Sequence, residues 1–426
     1  MKFYIYTLGC KVNTYESQVV HDMLINNGFI EDENADIFII NTCTVTNTSD
    51  SKSLKVVRQC QRKNPNAIIV VMGCMTQVSS SLVKDMQGVS IVIGNMYKSK
   101  IPELINEYLK TKKQIIKVDN IMAAPFEDMI LNNFNRTRAF VKIEDGCENY
   151  CTYCIIPYSR GKVRSKQKEK VIEEITNLVK EGHKEIVLTG IHTGHYGADL
   201  ENYSFAQLLK EIENIEGLER LRISSIEITE LDEEFMQILK TSKKLVDHMH
   251  IPLQAGSDEI LSKMNRKYNL DYYFNKINEI RTIRPNMAIS TDVIVGFPGE
   301  TEELFIKTIE TCRKLEFSKI HVFPFSLRKG TKAEELSNHI DEAEKKRRSR
   351  RLIEVSKELE IKYMEKFIGQ DILFIPEVEH DGYLIGHTGN YLEIKAKGNK
   401  ELLHKDVLVT IDKVEYPYVI STIKNN

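Results

Sequence analysis

The chain has 426 residues, 42% of them hydrophobic and 28% charged, with a formal net charge of -2. This length exceeds one ordinary domain and suggests about three. No apolar run reaches the roughly eighteen residues that span a bilayer, and the opening MKFYIYTLGC has neither the h-region nor the cleavage site of a signal peptide. A cytoplasmic protein without membrane contact is therefore expected, and global charge gives no support for a nucleic-acid partner. Eight cysteines in a reducing compartment point to metal or catalysis rather than to disulfides.

In chain order, the apolar runs KFYIYT (2–7), DIFIIN (36–41), AIIVVM (67–72) and VSIVIG (89–94) alternate with helix-like stretches near 15–27, 50–62 and 76–86. Strands alternating with helices predict a parallel sheet covered on both faces, and we expect this α/β unit over 1–115. Cys10, Cys43 and Cys74 each follow one of these strands, as TLGC, NTC and MGC, at separations of 33 and 31 residues. One strand-plus-helix unit per interval sets all three thiols at the same carboxyl edge. That edge is where such sheets bind ligands and where helix N-termini favour thiolates. Three convergent thiolates suggest an iron–sulfur cluster with one iron left open. Cys60 and Cys312 fall in helical patterns away from the others and read as small buried hydrophobes. A helix near 98–110 and an Asn-rich stretch follow, with a linker expected over 116–136.

A second alternation begins at RAFVKI (138–143) and continues through EIVLTG (185–190), RLRISS (220–225), HMHIPL (248–253), ISTDVIVG (289–296) and KIHVFPF (319–325). Six strand–helix units are too few for a closed eight-stranded barrel. They predict a partial one over 137–340 whose working edge is the C-terminal ends of its strands. Directly after its first strand, GCENYCTYCIIPYSRG places Cys147, Cys151 and Cys154 at C-x3-C-x2-C. Structural zinc wants four ligands, and a ferredoxin-type cluster wants four cysteines in tighter repeats. Three ligands on one loop suggest a four-iron cluster with an open iron.

A charged connecting helix is expected over 341–367; its KKRRSRR segment (345–351) reads as a solvated face, with a phosphate-facing strip as the alternative. The remaining residues, 368–426, change period: ILFIPEV, YLIGHT, YLEIKA, DVLVTIDKV and YPYVISTI are short strands between turns. They predict a small antiparallel β-barrel.

The C-x3-C-x2-C loop, with aromatic Tyr153 before its last cysteine, resembles the radical S-adenosylmethionine superfamily. Together with TLGCKVNTYES (7–17), NTCTVT (41–46), IPLQAGSD (251–258), MNRKY (264–268) and DVIVGFPGET (292–301), it makes the whole chain similar to the methylthiotransferases. That resemblance implies an N-terminal cluster domain, a partial (β/α)6 radical SAM barrel and a C-terminal TRAM barrel. It also implies two [4Fe-4S] clusters, one on Cys10, Cys43 and Cys74 and one on Cys147, Cys151 and Cys154. S-adenosylmethionine would serve twice, donating a methyl group to sulfur at the first set and yielding a 5′-deoxyadenosyl radical at the second. The radical would take the C2 hydrogen of an adenine, and the substrate radical would collect the methylthio group.

Family branches differ in what they modify, and the K-V-N-T-Y-E-S ending (11–17) looks like the branch acting on N6-threonylcarbamoyladenosine in tRNA. Isopentenyladenosine in tRNA and a ribosomal protein side chain stay open as substrates. Outside the family, a two-cluster electron carrier and an RNA-binding module with structural zinc remain as readings. The resemblance further implies Tyr153, Gly190, Ser225, Gln254 and Asp292 around S-adenosylmethionine, with loop or cap roles as the alternative. Gly296, Pro298 and Gly299 would shape a turn near its adenine. Arg160, Arg164 and Arg266 would hold substrate phosphate or carboxylate. His192, His195 and His250 lie near the same edge and read as ordinary loop or core histidines. Lys395, Lys397 and Lys405 of the terminal barrel would grip the tRNA arm or form a solvated surface. A low-potential donor of flavodoxin or ferredoxin type would supply electrons, and nothing requires more than a monomer.

Overall fold

The computed structural model describes residues 1–131, 134 and 136–424. Asn132, Asn133 and Asn135 of the expected linker, and Asn425 and Asn426 at the end of the expected terminal barrel, lie outside the described residues. No helix is long and apolar enough to cross a membrane among the described residues.

The first unit is a parallel sheet. Its strands β1 (Lys2–Thr7), β2 (Ile30–Glu31), β3 (Ile37–Thr42), β4 (Ile68–Gly73), β5 (Val89–Ile93) and β6 (Ile115–Lys117) lie in the order β2-β1-β3-β4-β5-β6. Both faces are covered, so alternate residues of one strand feed different cores. Ile37 and Ile39 of β3 join the large core, whereas Phe38 and Ile40 pack with Val57 and Val71 on the other side. Helices α1 (Lys11–Asn26), α2 (Asn47–Lys63), α3 (Cys74–Ser79), α4 (Ser81–Lys84) and α5 (Ile101–Thr111) supply the covers. The expected helix 76–86 is two helices meeting at Ser80, and α1 starts four residues earlier than its apolar pattern, with Cys10 at its N-cap.

The second unit contains β7 (Arg138–Lys142), β8 (Glu144–Asp145), α6 (Ile156–Arg160), β9 (Arg164–Ser165), α7 (Lys168–Lys180), β10 (Glu185–Thr189), α8 (Phe205–Glu213), β11 (Arg220–Ile223), α9 (Glu233–Thr241), β12 (His248–His250), α10 (Asp258–Lys263), α11 (Leu270–Ile283), β13 (Ala288–Val295), α12 (Glu302–Leu315) and β14 (Lys319–Pro324). Strands β7, β10 and β11 form one parallel sheet and β12, β13 and β14 another. A single parallel bridge, Leu221–Leu245, links them into a six-stranded partial barrel. Five of its seven helices, α8 to α12, start at side-chain caps: Ser204, Asp232, Ser257, Asn269 and Thr301 each accept a backbone N–H of the first turn.

Helix α13 (Glu342–Glu365) lies along β14, where Ser356 Oγ accepts from Ile320 N (3.0 Å). Its basic run is largely consumed internally. Arg348 reaches Glu300 (2.8 Å), and Arg347 and Arg351 reach Glu302, while Lys346 and Arg350 stay on the exposed face. Strands β15 (Asp371–His380), β16 (Tyr383–Thr388), β17 (Glu393–Lys397), β18 (Val407–Glu415) and β19 (Tyr418–Ile423) close a five-stranded barrel in the order β15-β16-β17-β19-β18. Tyr391, between β16 and β17, plugs the N-terminal end of the partial barrel. Its ring stacks on His248 (centroids 4.5 Å) beneath the guanidinium groups of Arg222 (4.8 Å) and Arg138 (5.4 Å).

Candidate active site

At the opposite end of the partial barrel, the loop after β8 begins with Gly146 at φ +96°, where a Cβ would stand 1.8 Å from the Lys162 carbonyl. Only glycine fits. The loop is pinned by Cys147 N to Gly161 O (3.0 Å), Thr152 N to Met264 O (3.1 Å) and Cys154 N to Cys151 O (2.9 Å). Two of the three sulfurs have side-chain partners. Arg266 Nη1 donates to Cys151 Sγ (3.4 Å), while His192 Nδ1 stands 3.7 Å from Cys147 Sγ. Burial pushes the Cys154 thiol up to about 12, with the Cys151 sulfur adding to it and Arg266 opposing. Cys154 lines a cavity of about 160 Å³ with Tyr153, Gln254 and Asp292. Gln254 sits there with left-handed backbone, φ 65°, its N–H on Asp292 O (2.9 Å). Gly190 and Ser225 lie outside that lining; a Cβ on Gly190 would stand 2.7 Å from Glu144 Oε2.

Cys10, Cys43 and Cys74 follow β1, β3 and β4, which are neighbours in the sheet, so the three share one edge. Gly9 (φ +102°) and Gly73 (φ +106°) turn the chain into two of them, and a Cβ on Gly9 would stand 3.1 Å from Cys43 Sγ. Asn13 ties the turns together, its Nδ2 donating to Leu8 O (2.7 Å) and Thr42 O (3.0 Å). Cys74 Sγ accepts from Asn95 Nδ2 (3.5 Å) and from Arg160 Nε (3.2 Å).

Arg160 belongs to α6, six residues beyond Cys154, so it reaches from one cysteine set to the other. It is fully buried and donates to Glu16 Oε1 (2.6 Å), Asn13 Oδ1 (2.7 Å) and Asp145 Oδ2 (3.2 Å). Glu16 also takes Lys98 (2.5 Å) and Lys142 (2.8 Å). Burial alone would raise the Glu16 carboxyl; Arg160, Lys142 and Lys98 outweigh it and hold it well below the carboxylate range. Arg160, Arg164 and Arg266, the candidate contacts for substrate, each have partners within the chain. Arg160 is spent on the interface between the first two units. Arg164 donates to Arg160 O (2.6 Å), and Arg266 is engaged by Glu227 and Cys151. A second bridge escaped the sequence reading. Arg328, after β14, donates to Thr44 Oγ1, Asn47 Oδ1 and Asp50 Oδ2 (2.7 Å each), clamping the loop beyond Cys43. That loop brings Val45 and Thr46 into the Cys154 cavity.

The donor sets fit iron–sulfur clusters better than single ions. Tetrahedral zinc would draw thiolates to about 3.8 Å from one another. Among the described residues, a group of ligand atoms within 4.8 Å of one another occurs only at His192, His195 and Glu230, not at either cysteine set. Sulfurs that instead accept from Arg266, Arg160 and Asn95 are supported as cluster thiolates are.

Family models agree with this division. Residues 141–312 match the Radical SAM superfamily and residues 2–94 the uncharacterized protein family UPF0004. Among solved structures, the radical S-adenosylmethionine methyltransferase TsrM from Kitasatospora setae is similar at TM-score 0.56 and 14% identity, over 76% of this chain and 72% of that one. The fold and the cysteine loop thus define a radical S-adenosylmethionine enzyme. Among curated proteins, the threonylcarbamoyladenosine tRNA methylthiotransferase MtaB of Bacillus subtilis is 42% identical over 97% of this chain and 94% of its own. The tRNA-2-methylthio-N(6)-dimethylallyladenosine synthase of Clostridium botulinum is 37% identical, again over 97% and 94%. The chain belongs to the radical S-adenosylmethionine methylthiotransferase family.

Proposed function

We propose that this chain methylthiolates C2 of N6-threonylcarbamoyladenosine beside the anticodon of tRNA. The observation that carries the reading is the higher identity to the Bacillus relative named for that nucleoside, 42% against 37% for the dimethylallyladenosine-type relative. The Lys11 to Ser17 segment agrees with it. Held on Cys10, Cys43 and Cys74 and on Cys147, Cys151 and Cys154, two [4Fe-4S] clusters with S-adenosylmethionine would supply a methyl donor and a source of the 5′-deoxyadenosyl radical.

The chain's own residues prepare the ground for that chemistry. Arg266 and His192 support the sulfurs of the barrel loop. Arg160 and Asn95 support Cys74, and Arg328 holds the Cys43 loop against the barrel. Tyr153, Phe323 and Phe325 make the Cys154 cavity largely apolar, which keeps water from a reactive radical. We assign the three units to 1–115, 137–340 and 368–426, with 116–136 as linker, whose first two residues complete β6, and 341–367 as connecting helix. Lys395, held over the rings of Tyr383 (4.7 Å) and Tyr418 (5.6 Å), belongs to the terminal barrel's candidate RNA surface. The reading places the protein in the cytoplasm as a monomer served by a flavodoxin- or ferredoxin-type donor.

Nucleoside analysis of tRNA from cells lacking the gene tests the assignment. Loss of 2-methylthio-N6-threonylcarbamoyladenosine is expected, and loss of only the dimethylallyl product would overturn it.

A further inference from the structure

A second cavity, of about 400 Å³, opens where the three units meet. Lys11 enters it from the first unit, His248, His250 and His321 from the partial barrel, and His387 and Tyr391 from the terminal barrel. The wall it shares with the Cys154 cavity is an ion pair. His250 faces this side and Asp292 lines the other, with Nε2 and Oδ2 3.3 Å apart.

Its polar groups are oddly unspent. Lys11 Nζ makes no hydrogen bond or ion pair among the described residues. Behind Tyr391, Arg222 is 1% exposed, gives Nε to Glu185 (2.7 Å) and leaves its buried Nη1 without a partner, as does His248 its Nδ1. The carboxylates nearby are mostly committed: Asp292 to His250, and Glu360 to Lys319 (3.1 Å) and Tyr416 (3.2 Å). Glu393 is the exception and lies on the Lys319 side. The field has a sign. Burial should raise the Tyr391 phenol, yet Arg138, Lys11 and Arg222 bring it below its ordinary value, and burial together with Arg222 holds His248 neutral.

We propose that this cavity receives the carboxylate-bearing arm of the substrate nucleoside, and that Lys11 reads the carboxylate. The inference rests on the threonylcarbamoyladenosine reading and deepens it. A carboxylate there meets the unpaired ammonium of Lys11, with His248 Nδ1 also unpartnered in the lining. A dimethylallyl arm would leave that ammonium unpaired, the arrangement by which a site rejects an analogue most strongly. Lys11 adjoins Cys10, so the residue that checks the arm sits beside the cysteine set assigned to sulfur delivery.

The test uses cluster-loaded full-length protein and two anticodon stem-loops, one carrying N6-threonylcarbamoyladenosine and one its methylamide, in which the carboxylate is neutralised. Affinity for both is measured by competition. Wild type is expected to bind the acid about 10- to 100-fold more tightly, as a charge-assisted contact would give. Lys11→Gln should abolish that ratio and Lys11→Arg should keep it. Equal binding of acid and amide by wild type, a comparison that needs no variant, overturns the inference. So does a Lys11→Gln variant that weakens both alike. Product analysis separates the two levels. Methylthiolation of the acid stem-loop without an acid preference sinks only the role of Lys11, whereas turnover of a dimethylallyl stem-loop alone sinks the substrate reading and the inference with it.

Discussion

Replacing Glu16 by glutamine removes one unit of charge from the centre of the interface between the first sheet and the partial barrel, and almost nothing else. The carboxylate is 1% exposed and holds Lys98 at 2.5 Å, Lys142 at 2.8 Å and Arg160 at 2.6 Å. With Arg164 at 3.6 Å from Asp145, four cations face two carboxylates; the substitution leaves four facing one. Breaking a buried ion pair on one side costs about 3–5 kcal/mol, because the abandoned charge stays desolvated. At about 2 °C per kcal/mol, the lower end of the usual scale, the melting transition followed by circular dichroism should fall by roughly 6–10 °C at pH 7.

The pH dependence carries a second signature. The Glu16 carboxyl is held well below its unfolded value, so its contribution is complete above the ordinary glutamate pKa of about 4.3 and is lost as pH falls through the folded value. The difference between wild type and Glu16→Gln should therefore narrow as pH drops below about 4. A variant that melts within 2 °C of wild type at pH 7 (about 1 kcal/mol), or a difference that stays constant from pH 7 to 3, would refute the electrostatic account.

Anaerobically reconstituted wild type should hold about eight iron atoms per chain, two four-iron clusters. Gly146→Ala should hold about four, because a Cβ there meets the Lys162 carbonyl at 1.8 Å; undiminished iron would show that the loop can relax. Cys151→Ala should abolish 5′-deoxyadenosine formation, whereas Cys10→Ala should lose methylthio transfer and keep some cleavage of S-adenosylmethionine. Equal loss of both activities in both variants would argue against separate jobs for the two sets. Tyr391→Ala removes a ring stacked on His248 and faced by two guanidinium groups, and should lower thermal stability by about 1–3 kcal/mol; an unchanged melt would make the plug incidental.

Strand periodicity was enough to place Cys10, Cys43 and Cys74 together, because in a parallel sheet a thiol after each of three neighbouring strands has only one edge to occupy. The six-unit barrel and the terminal barrel were legible for the same reason: apolar periods of two and 3.6 report burial directly. Edge strands β2 and β6, two and three residues long, carry no such period. Charged partners were illegible for a different reason. Glu16 meets Lys98, Lys142 and Arg160 across 82, 126 and 144 residues of sequence, and a charged residue defaults to the surface unless its partner is known. That default made Arg160 look available to substrate. The arginine's position six residues after Cys154 and the TLGCKVNTYES run were the usable signals, since Asn13 and Glu16 of that run are what Arg160 grips.

One short segment, 146–161, therefore carries the three barrel cysteines and the guanidinium that touches Cys74, so α6 ties the two cysteine sets together, beside the Arg328 bridge. Arg160→Lys isolates this positioning role from charge. The network keeps its four cations, yet one ammonium cannot span Cys74 Sγ, Asn13 Oδ1 and Glu16 Oε1, which the planar fork meets through three separate nitrogens. Thermal stability at pH 7 should thus fall less than in Glu16→Gln. Methylthio transfer should drop about 10- to 100-fold, the worth of one charge-assisted hydrogen bond, while 5′-deoxyadenosine formation at the barrel cysteines persists. If Arg160→Lys transfers the methylthio group as fast as wild type, Arg160 supplies charge alone, and the two sets are held in register by something other than its fork.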